Sequence, residues 1–138
     1  MTGTQEPVKM LARVDIFSGM SERHLKKLAS MVRETTHPAG REVASEGQGG
    51  LAFHLITSGT ADVTMRGEGV RRLGPGDYFG EISMIDGKPR SATVTAVEEL
   101  RTVAVPHIVF EDLVSSEPEF AHGLLKVLCA RIREIEGR

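Results

Sequence analysis

Residues 79–94 read FGEISMIDGKPRSATV, and the features of this stretch decide how the rest of the chain is interpreted. Glu81 supplies a carboxylate and Arg90, nine positions later, supplies a guanidinium. Between them, Gly87 and Pro89 indicate a turn, which a short helix is expected to precede. Proline disfavours helical backbone at the residue before it, so the turn should lead in extended form into the next strand. The stretch therefore places two opposite charges around one short turn.

Alternation of apolar and polar residues surrounds this stretch, as is typical of half-buried strands. The alternation runs over residues 60–65 and 91–97, and another short strand is expected over 102–105. Ten of the fifteen glycines lie between positions 40 and 80, where they would form the turns between strands. Short strands between glycine-rich turns predict a mainly β fold over residues 35–106. We expect an antiparallel β-roll of the jelly-roll (double-stranded β-helix) type with about eight strands.

The two ends of the chain have a helical period instead. N-terminal helices are expected over residues 10–34, with Ser21 as an N-cap, and residues 1–6 are expected to be disordered. Two C-terminal helices are expected over residues 107–136. A length of 138 residues suits one domain, so the sequence predicts a single domain over 1–138.

Composition and charge argue against several classes of protein. Hydrophobic residues make up 40% and charged residues 26%, as in ordinary globular domains, and a net charge of −2 disfavours a nucleic-acid-binding surface. The apolar runs are too short to cross a membrane and no signal peptide is visible, so a cytoplasmic location is expected. Cys129 is the single cysteine, which excludes an intramolecular disulfide. We expect it to be a small buried hydrophobe, with a reactive thiol as the alternative.

The charged pair suggests a ligand that carries an anion and a hydroxyl. A guanidinium donates two N–H groups to a phosphate, and a carboxylate accepts from the hydroxyl of a ribose. A cyclic nucleotide offers both groups. Gly80 would let backbone approach such a ligand closely, and the backbone N–H groups of Ser91 and Ala92 would face its phosphate. The alternatives are an exposed Glu81 at a helix start, favoured by the helix dipole, and Arg90 as an ordinary surface residue.

The stretch 79–94 resembles the phosphate-binding cassette of the cyclic nucleotide-binding domain. That domain occurs in catabolite activator proteins, in regulatory subunits of cAMP-dependent protein kinase and in cyclic nucleotide-gated channels. The resemblance extends over about residues 10–135. Other segments that carry it are Glu46-Gly47, Phe53-His54-Leu55-Ile56, Ser58-Gly59 and the helical lead-in over 14–28.

The resemblance implies a role for each residue of the cassette. Glu81 would accept from the ribose 2′-hydroxyl, and Gly80 would offer backbone to the ribose. Arg90 would bind the equatorial phosphate oxygen. The ligand-binding set that the resemblance implies is Gly80, Glu81, Ile82, Ser83, Arg90, Ser91 and Ala92. The expected ligand is cAMP, with cGMP as the alternative, because Ser91 does not distinguish the two.

The resemblance also implies how the domain is used. Transcription factors of the family continue into a helix-turn-helix domain, whereas this sequence ends at Arg138, so no direct DNA binding is expected from it. The base would be covered by Ile132 or Ile135 of the last helix, by a partner subunit, or by residues outside this sequence. Ligand binding is expected to shift the C-terminal helices and so to regulate an effector protein that the sequence does not identify.

An apolar stripe along the last helix suggests assembly. Its members follow heptad spacing and are Ala121, Leu125, Leu128, Ile132 and Ile135. A second stripe (Phe120, Leu124 and Val127) is expected to pack on the roll. The stripe left over predicts a two-fold homodimer through this helix. The alternative is a monomer whose roll covers both stripes.

Nothing in the sequence favours catalysis, so the chain is expected not to be an enzyme. Its five histidines are dispersed, and His54 lies in a strand pattern where a surface or structural role is expected. A cyclic nucleotide phosphodiesterase is the catalytic alternative, and it would normally need a cluster of metal ligands. A sensor of the same fold for another small ligand is the third hypothesis.

Overall fold

The computed structural model describes residues 5–49 and 52–137. Contacts divide the chain into two compact units. One unit comprises residues 31–110, and the other comprises both ends of the chain, up to residue 30 and from residue 111 onward. We describe each by itself, and the single domain expected from the length stays a prediction.

The unit of residues 31–110 contains two four-stranded antiparallel sheets within the described residues. The strands are β1 Arg33–His37, β2 Glu42–Ala44, β3 Ala52–Ser58, β4 Ala61–Met65, β5 Glu68–Leu73, β6 Tyr78–Phe79, β7 Thr93–Ala96 and β8 Leu100–Pro106. The first sheet has the order β1-β8-β3-β6 and the second β2-β7-β4-β5. These sheets, together with the helices at both ends, confirm the predicted antiparallel β-roll.

The core of the roll is mainly aliphatic, with Phe53 and Phe79 as buried aromatic members. Inward-facing side chains alternate along β4 and β7, which is why these two strands could be predicted from their period of two. The buried cluster between the strands is Ala44, Ile56, Ala61, Val63, Leu73, Phe79, Val94, Ala96 and Leu100. Full burial of a large aliphatic side chain contributes about 1.5–3 kcal/mol to the free energy of folding. This cluster therefore stabilises the two sheets, which position the turns between the strands.

One strand pair leads directly to the charged stretch. The short strand β6 pairs with the middle of β3, with Phe79 opposite His54 and Tyr78 opposite Leu55. Helix α3 (Glu81–Asp86) follows at once and lies between Gly80 and Gly87, both of which have left-handed backbone. The Gly87 N–H closes the helix by donating to the Ser83 carbonyl at 3.0 Å.

The other unit contains helices α1 (Gln5–Ala12), α2 (Glu22–Ala29) and α5 (Pro118–Glu136), and α4 (His107–Ser116) connects the two units along the chain. Ser21 caps α2 as predicted, because its hydroxyl accepts from the His24 N–H at 3.3 Å. Phe17 stacks on Phe120 with ring centroids 5.5 Å apart. In the part of the chain that the structure describes, no helix is long and apolar enough to span a membrane.

Several predicted boundaries were wrong. Helix α1 begins at Gln5, inside the segment 1–6 expected to be disordered, whose first four residues lie outside the described part. The region of N-terminal helices ends before 34, because Arg33 already begins β1 and pairs with Ala104. The roll therefore begins two residues earlier than expected.

Cys129 is exposed, so the expectation of a buried hydrophobe was wrong. The buried face of α5 includes Phe120 and Leu124. Position 129 comes five residues after Leu124, about 140° further around the helix, and so it lies on a different face. Leu125 and Ile132 are also exposed, by 60% and 51%.

Candidate functional site

The side chain of Arg90 is the centre of the site. It is only 8% exposed, although arginine is rarely buried without a partner. Its Nη2 donates to the Ala52 carbonyl at 2.6 Å, at the first residue of β3. Among the described residues, Nη1 has no hydrogen-bond partner. A buried N–H without a partner costs free energy, so this atom is available to an acceptor that enters the site.

The backbone of Arg90 is fixed by the turn between β2 and β3. The Arg90 N–H donates to the Gln48 carbonyl at 2.7 Å, and the Arg90 carbonyl accepts from the Gly47 N–H at 2.9 Å. One residue earlier in that turn, the Glu46 N–H donates to the Thr93 hydroxyl at 2.9 Å. These bonds hold both ends of the peptide at Arg90, so the guanidinium is presented from a rigid base.

Gly80 makes room for the guanidinium. Its φ is +94°, a conformation that side chains disfavour. A Cβ at this position would lie 2.5 Å from Arg90 Nη1 and 2.7 Å from the Ala52 carbonyl oxygen. The structure shows that this glycine lets backbone approach Arg90, while its expected approach to a ligand stays a prediction.

Glu81 brings the opposite charge to the same place. It is the first residue of α3 and only 7% exposed, so the alternative of an exposed residue at a helix start was wrong. Burial lowers the pKa of the Arg90 guanidinium, and the Glu81 carboxylate acts in the opposite direction on that pKa. An arginine side chain nevertheless keeps its proton in a protein. The site thus holds a cation and an anion that influence each other.

The remaining residues of the predicted set differ in their placement. Ser83 is buried in α3, at 8% exposure, whereas Ile82 points outward with 47% of its surface exposed. Ser91 is exposed, and Ala92 is half-buried against the core of the roll. The structure therefore groups Gly80, Glu81 and Arg90, while contacts of the other four with a ligand stay predictions.

Sequence reasoning missed the groups that hold Arg90. The Ala52 carbonyl and the Gln48 carbonyl are backbone atoms, and any residue type supplies them, so no side-chain pattern marks them. The glycines of the turn at 46–50 were the only available signal. His54 has the structural role that was one of its predicted alternatives, since it is 9% exposed and stacks on Phe79 with centroids 5.0 Å apart.

The described residues contain no group of three His, Cys, Asp or Glu side chains that would hold a metal ion. What the site offers is one buried guanidinium with a free N–H, one carboxylate, and a glycine backbone between them. Such a set suits a ligand with an anionic group and a hydroxyl group close together.

Comparison with known proteins adds the family. The profile of the family described as "Cyclic nucleotide-binding domain" matches residues 34–117. A CRP-like cAMP-activated global transcriptional regulator of Mycobacterium tuberculosis is 31% identical over 130 residues, which cover 91% of this chain and 58% of the regulator. A cAMP-dependent protein kinase regulatory subunit of Eremothecium gossypii is 38% identical over 105 residues, covering 75% of this chain and 23% of the subunit.

A solved structure agrees with the sequence comparisons. The catabolite activator protein of Thermus thermophilus superposes with a TM-score of 0.76 at 30% identity, over 88% of this chain and 60% of that protein. The chain thus spans 60% or less of each of these three relatives. Since the family profile covers more than half of the sequence and includes both Glu81 and Arg90, the chain belongs to the cyclic nucleotide-binding domain family.

Proposed function

We propose that this chain binds cAMP between Arg90 and Glu81 and acts as a regulatory sensor, leaving the nucleotide chemically unchanged. The relatives named above support cAMP, because the mycobacterial and fungal proteins are described by their response to it. cGMP is the alternative ligand.

The free Nη1 of Arg90 is the observation that carries the proposal. A cyclic phosphate has one negative charge spread over two outer oxygens. If one oxygen accepts from Nη1, the buried guanidinium gains the partner that it lacks. A hydrogen bond to a charged group contributes about 1.5–3 kcal/mol. The Ala52 carbonyl keeps Nη2 occupied, and so it directs Nη1 toward the ligand.

The carboxylate of Glu81 completes the recognition. It would accept from the ribose 2′-hydroxyl, while the Gly80 backbone lies against the sugar. Ser83, Ser91 and Ala92 would add N–H or hydroxyl donors to the phosphate, and Ile82 an apolar contact. A linear nucleotide or a 2′-deoxy ligand lacks one part of this pattern, and both should therefore bind more weakly.

Calorimetric titration of the chain with cAMP, cGMP, AMP and 2′-deoxy-cAMP tests the proposal directly. We expect cAMP to bind most tightly and AMP most weakly. Chromatography of the mixture after long incubation should return cAMP intact, whereas formation of AMP would support the phosphodiesterase alternative. Absence of binding by either cyclic nucleotide would refute the assignment.

Assembly and context are also proposals. The exposed aliphatic residues of α5 favour a homodimer through this helix. Regulation would then act through the C-terminal helices on an effector that remains to be identified. Operation in the cytoplasm without direct DNA contact stays a prediction from the sequence.

A further inference from the structure

A row of polar side chains crosses the first sheet and ends beside the site. His37 Nε2 and the Thr35 hydroxyl are 2.9 Å apart, and the hydroxyls of Thr35 and Thr102 are 2.7 Å apart. The Thr102 hydroxyl lies 2.9 Å from His54 Nδ1. Thr102 is 1% exposed and His54 9%, so the inner half of the row is closed to water.

The number of protons in this row is restricted. Its three hydrogen bonds need three donors, and the two threonine hydroxyls supply one proton each. One ring N–H, from either His37 Nε2 or His54 Nδ1, must supply the third. An imidazolium carries protons on both nitrogens. The row therefore accommodates a positive charge on one histidine, whereas charging both would leave the proton of one threonine hydroxyl without an acceptor in the row.

His54 is the end of the row that faces the cassette. Its ring is nearly parallel to that of Phe79, at an interplanar angle of 13°, and Phe79 immediately precedes Gly80. Burial and, to a smaller extent, the charges of His37 and then Arg90 lower the pKa of His54 to about 4. The neighbouring strands β8 and β6 contribute Thr102 and Phe79, which do not titrate in this range. Arg90 lies close to this ring, because its Nη2 bonds the carbonyl of Ala52, which is two residues before His54 on the same strand.

We propose that His54 is a positioning residue of the anion site that links anion binding at Arg90 to the uptake of a proton. Its neutral ring supports Phe79 and so the backbone entering Gly80 and Glu81. An anion on Arg90 offsets the positive charge that otherwise opposes a proton on His54, so the ring accepts a proton more readily when the anion is bound. This inference rests on the proposed function for the identity of the anion, but the coupling of His54 to Arg90 does not depend on it.

If the anion favours protonated His54, protonation must favour the anion by the same free energy. cAMP affinity should therefore rise as pH falls from about 7.5 to about 5, by about twofold relative to a His54→Gln variant. The comparison with the variant removes any titration of the ligand itself. His122→Gln, which removes an exposed histidine of α5, should keep the wild-type pH dependence.

Nuclear magnetic resonance titration of the imidazole groups in the full chain tests the coupling without any nucleotide. The His54 signal, assigned by its loss in His54→Gln, should titrate well below the ordinary pKa of a histidine. Arg90→Gln should move the His54 midpoint upward, whereas Arg90→Lys, which keeps the charge, should move it less. If Arg90→Gln does not fold, Arg90→Met removes the charge with an apolar side chain of similar length.

Saturating cAMP should also move the His54 midpoint upward in the wild type. An unchanged midpoint after removal of the Arg90 charge would overturn the inference. Failure of the wild type to bind cAMP would instead refute the proposed function, and the comparison of Arg90 variants would still decide the coupling.

The positioning role has its own test. At about pH 7.5, His54→Phe keeps a ring against Phe79 and should bind cAMP within about twofold of the wild type, whereas His54→Ala should lose about tenfold. Equal losses in both variants would contradict support of Phe79 by the ring.

Discussion

At the scale of single residues, the site depends on an arrangement that is unfavourable in the free protein. Arg90 is buried beside Gly80, whose positive φ and missing side chain leave room for it, and one of its terminal nitrogens has no partner among the described residues. Such features cost stability and are therefore expected where function requires them. Substitutions at Arg90 and at Gly80 test separately the charge of the guanidinium and the room that the glycine leaves for it.

Replacing Arg90 by alanine should leave the fold intact and weaken cAMP binding by about 2–5 kcal/mol, as for other buried charge pairs that lose one partner. Arg90→Lys should also weaken binding, since an ammonium cannot bond Ala52 and the phosphate with a rigid fork. Arg71→Ala, at an exposed arginine of β5, is the matched control. Calorimetry with a thermal melt of each variant measures both effects, and wild-type affinity in Arg90→Ala would rule out the site.

Gly80→Ala should destabilise the fold by about 1–3 kcal/mol and abolish tight binding, because the new Cβ displaces Arg90 or the Ala52 carbonyl. Gly76→Ala is a stringent control: its φ of +92° is nearly the same, but a Cβ there meets nothing within 4 Å. Denaturant unfolding of the two variants should therefore differ by the cost of the overlap alone. Equal destabilisation would show that the backbone conformation, and not the overlap with Arg90, makes glycine necessary.

At the scale of elements, the first sheet carries a titratable group in its interior. Burial, His37 and Arg90 lower the pKa of His54 from 6.5 to about 4, so between these values the unfolded chain binds a proton that the folded chain does not. Stability should consequently fall as pH decreases from about 6.5 to about 4, by about 3 kcal/mol from this residue, and no further below that.

Urea unfolding of wild type and His54→Gln at a series of pH values from 7 to about 4 isolates the contribution of His54 to the free energy of unfolding. The carboxylates of the chain titrate in both proteins, so the difference between the two curves belongs to His54. A constant difference from pH 7 to about pH 4 would contradict the buried neutral histidine.

The elements also show how far the sequence could predict this structure. The roll followed from alternation in β4 and β7, because a strand with one buried face has a period of two. Glu81 and Arg90 could be predicted as site residues because they are opposite charges on either side of a turn that Gly87 and Pro89 mark in the sequence. The Ala52 and Gln48 carbonyls could not, since backbone acceptors leave no trace in residue type. The start of the first sheet at Arg33 was assigned to helix for a similar reason: all five residues of β1 are polar or charged, so no alternation with apolar residues marks the strand.

At the scale of the whole molecule, the exposed apolar face of α5 predicts that two copies of the chain associate. Leu125, Ile132 and Ile135 are 60%, 51% and 85% exposed, and the exposed Cys129 lies in the same part of the helix. Each large aliphatic side chain gains about 1.5–3 kcal/mol on full burial, so a parallel pairing of two α5 helices would be favourable. We expect a dimer at tens of micromolar in light scattering, strengthened by cAMP if the ligand prefers the paired arrangement.

Ile132→Glu should abolish this dimer, because it would bring two carboxylates together on the apolar stripe. Lys126→Glu changes charge on the same helix about 120° away from Ile132 and should leave the dimer intact. Cys129 provides an independent measurement: it lies one residue beyond Leu128, at the edge of the stripe, so a bifunctional thiol reagent should give a covalent dimer in wild type and much less in Ile132→Glu. A wild type that stays monomeric with cAMP, and whose Cys129 does not cross-link, would show that the exposed stripe serves another partner and that binding at Arg90 does not need a second subunit.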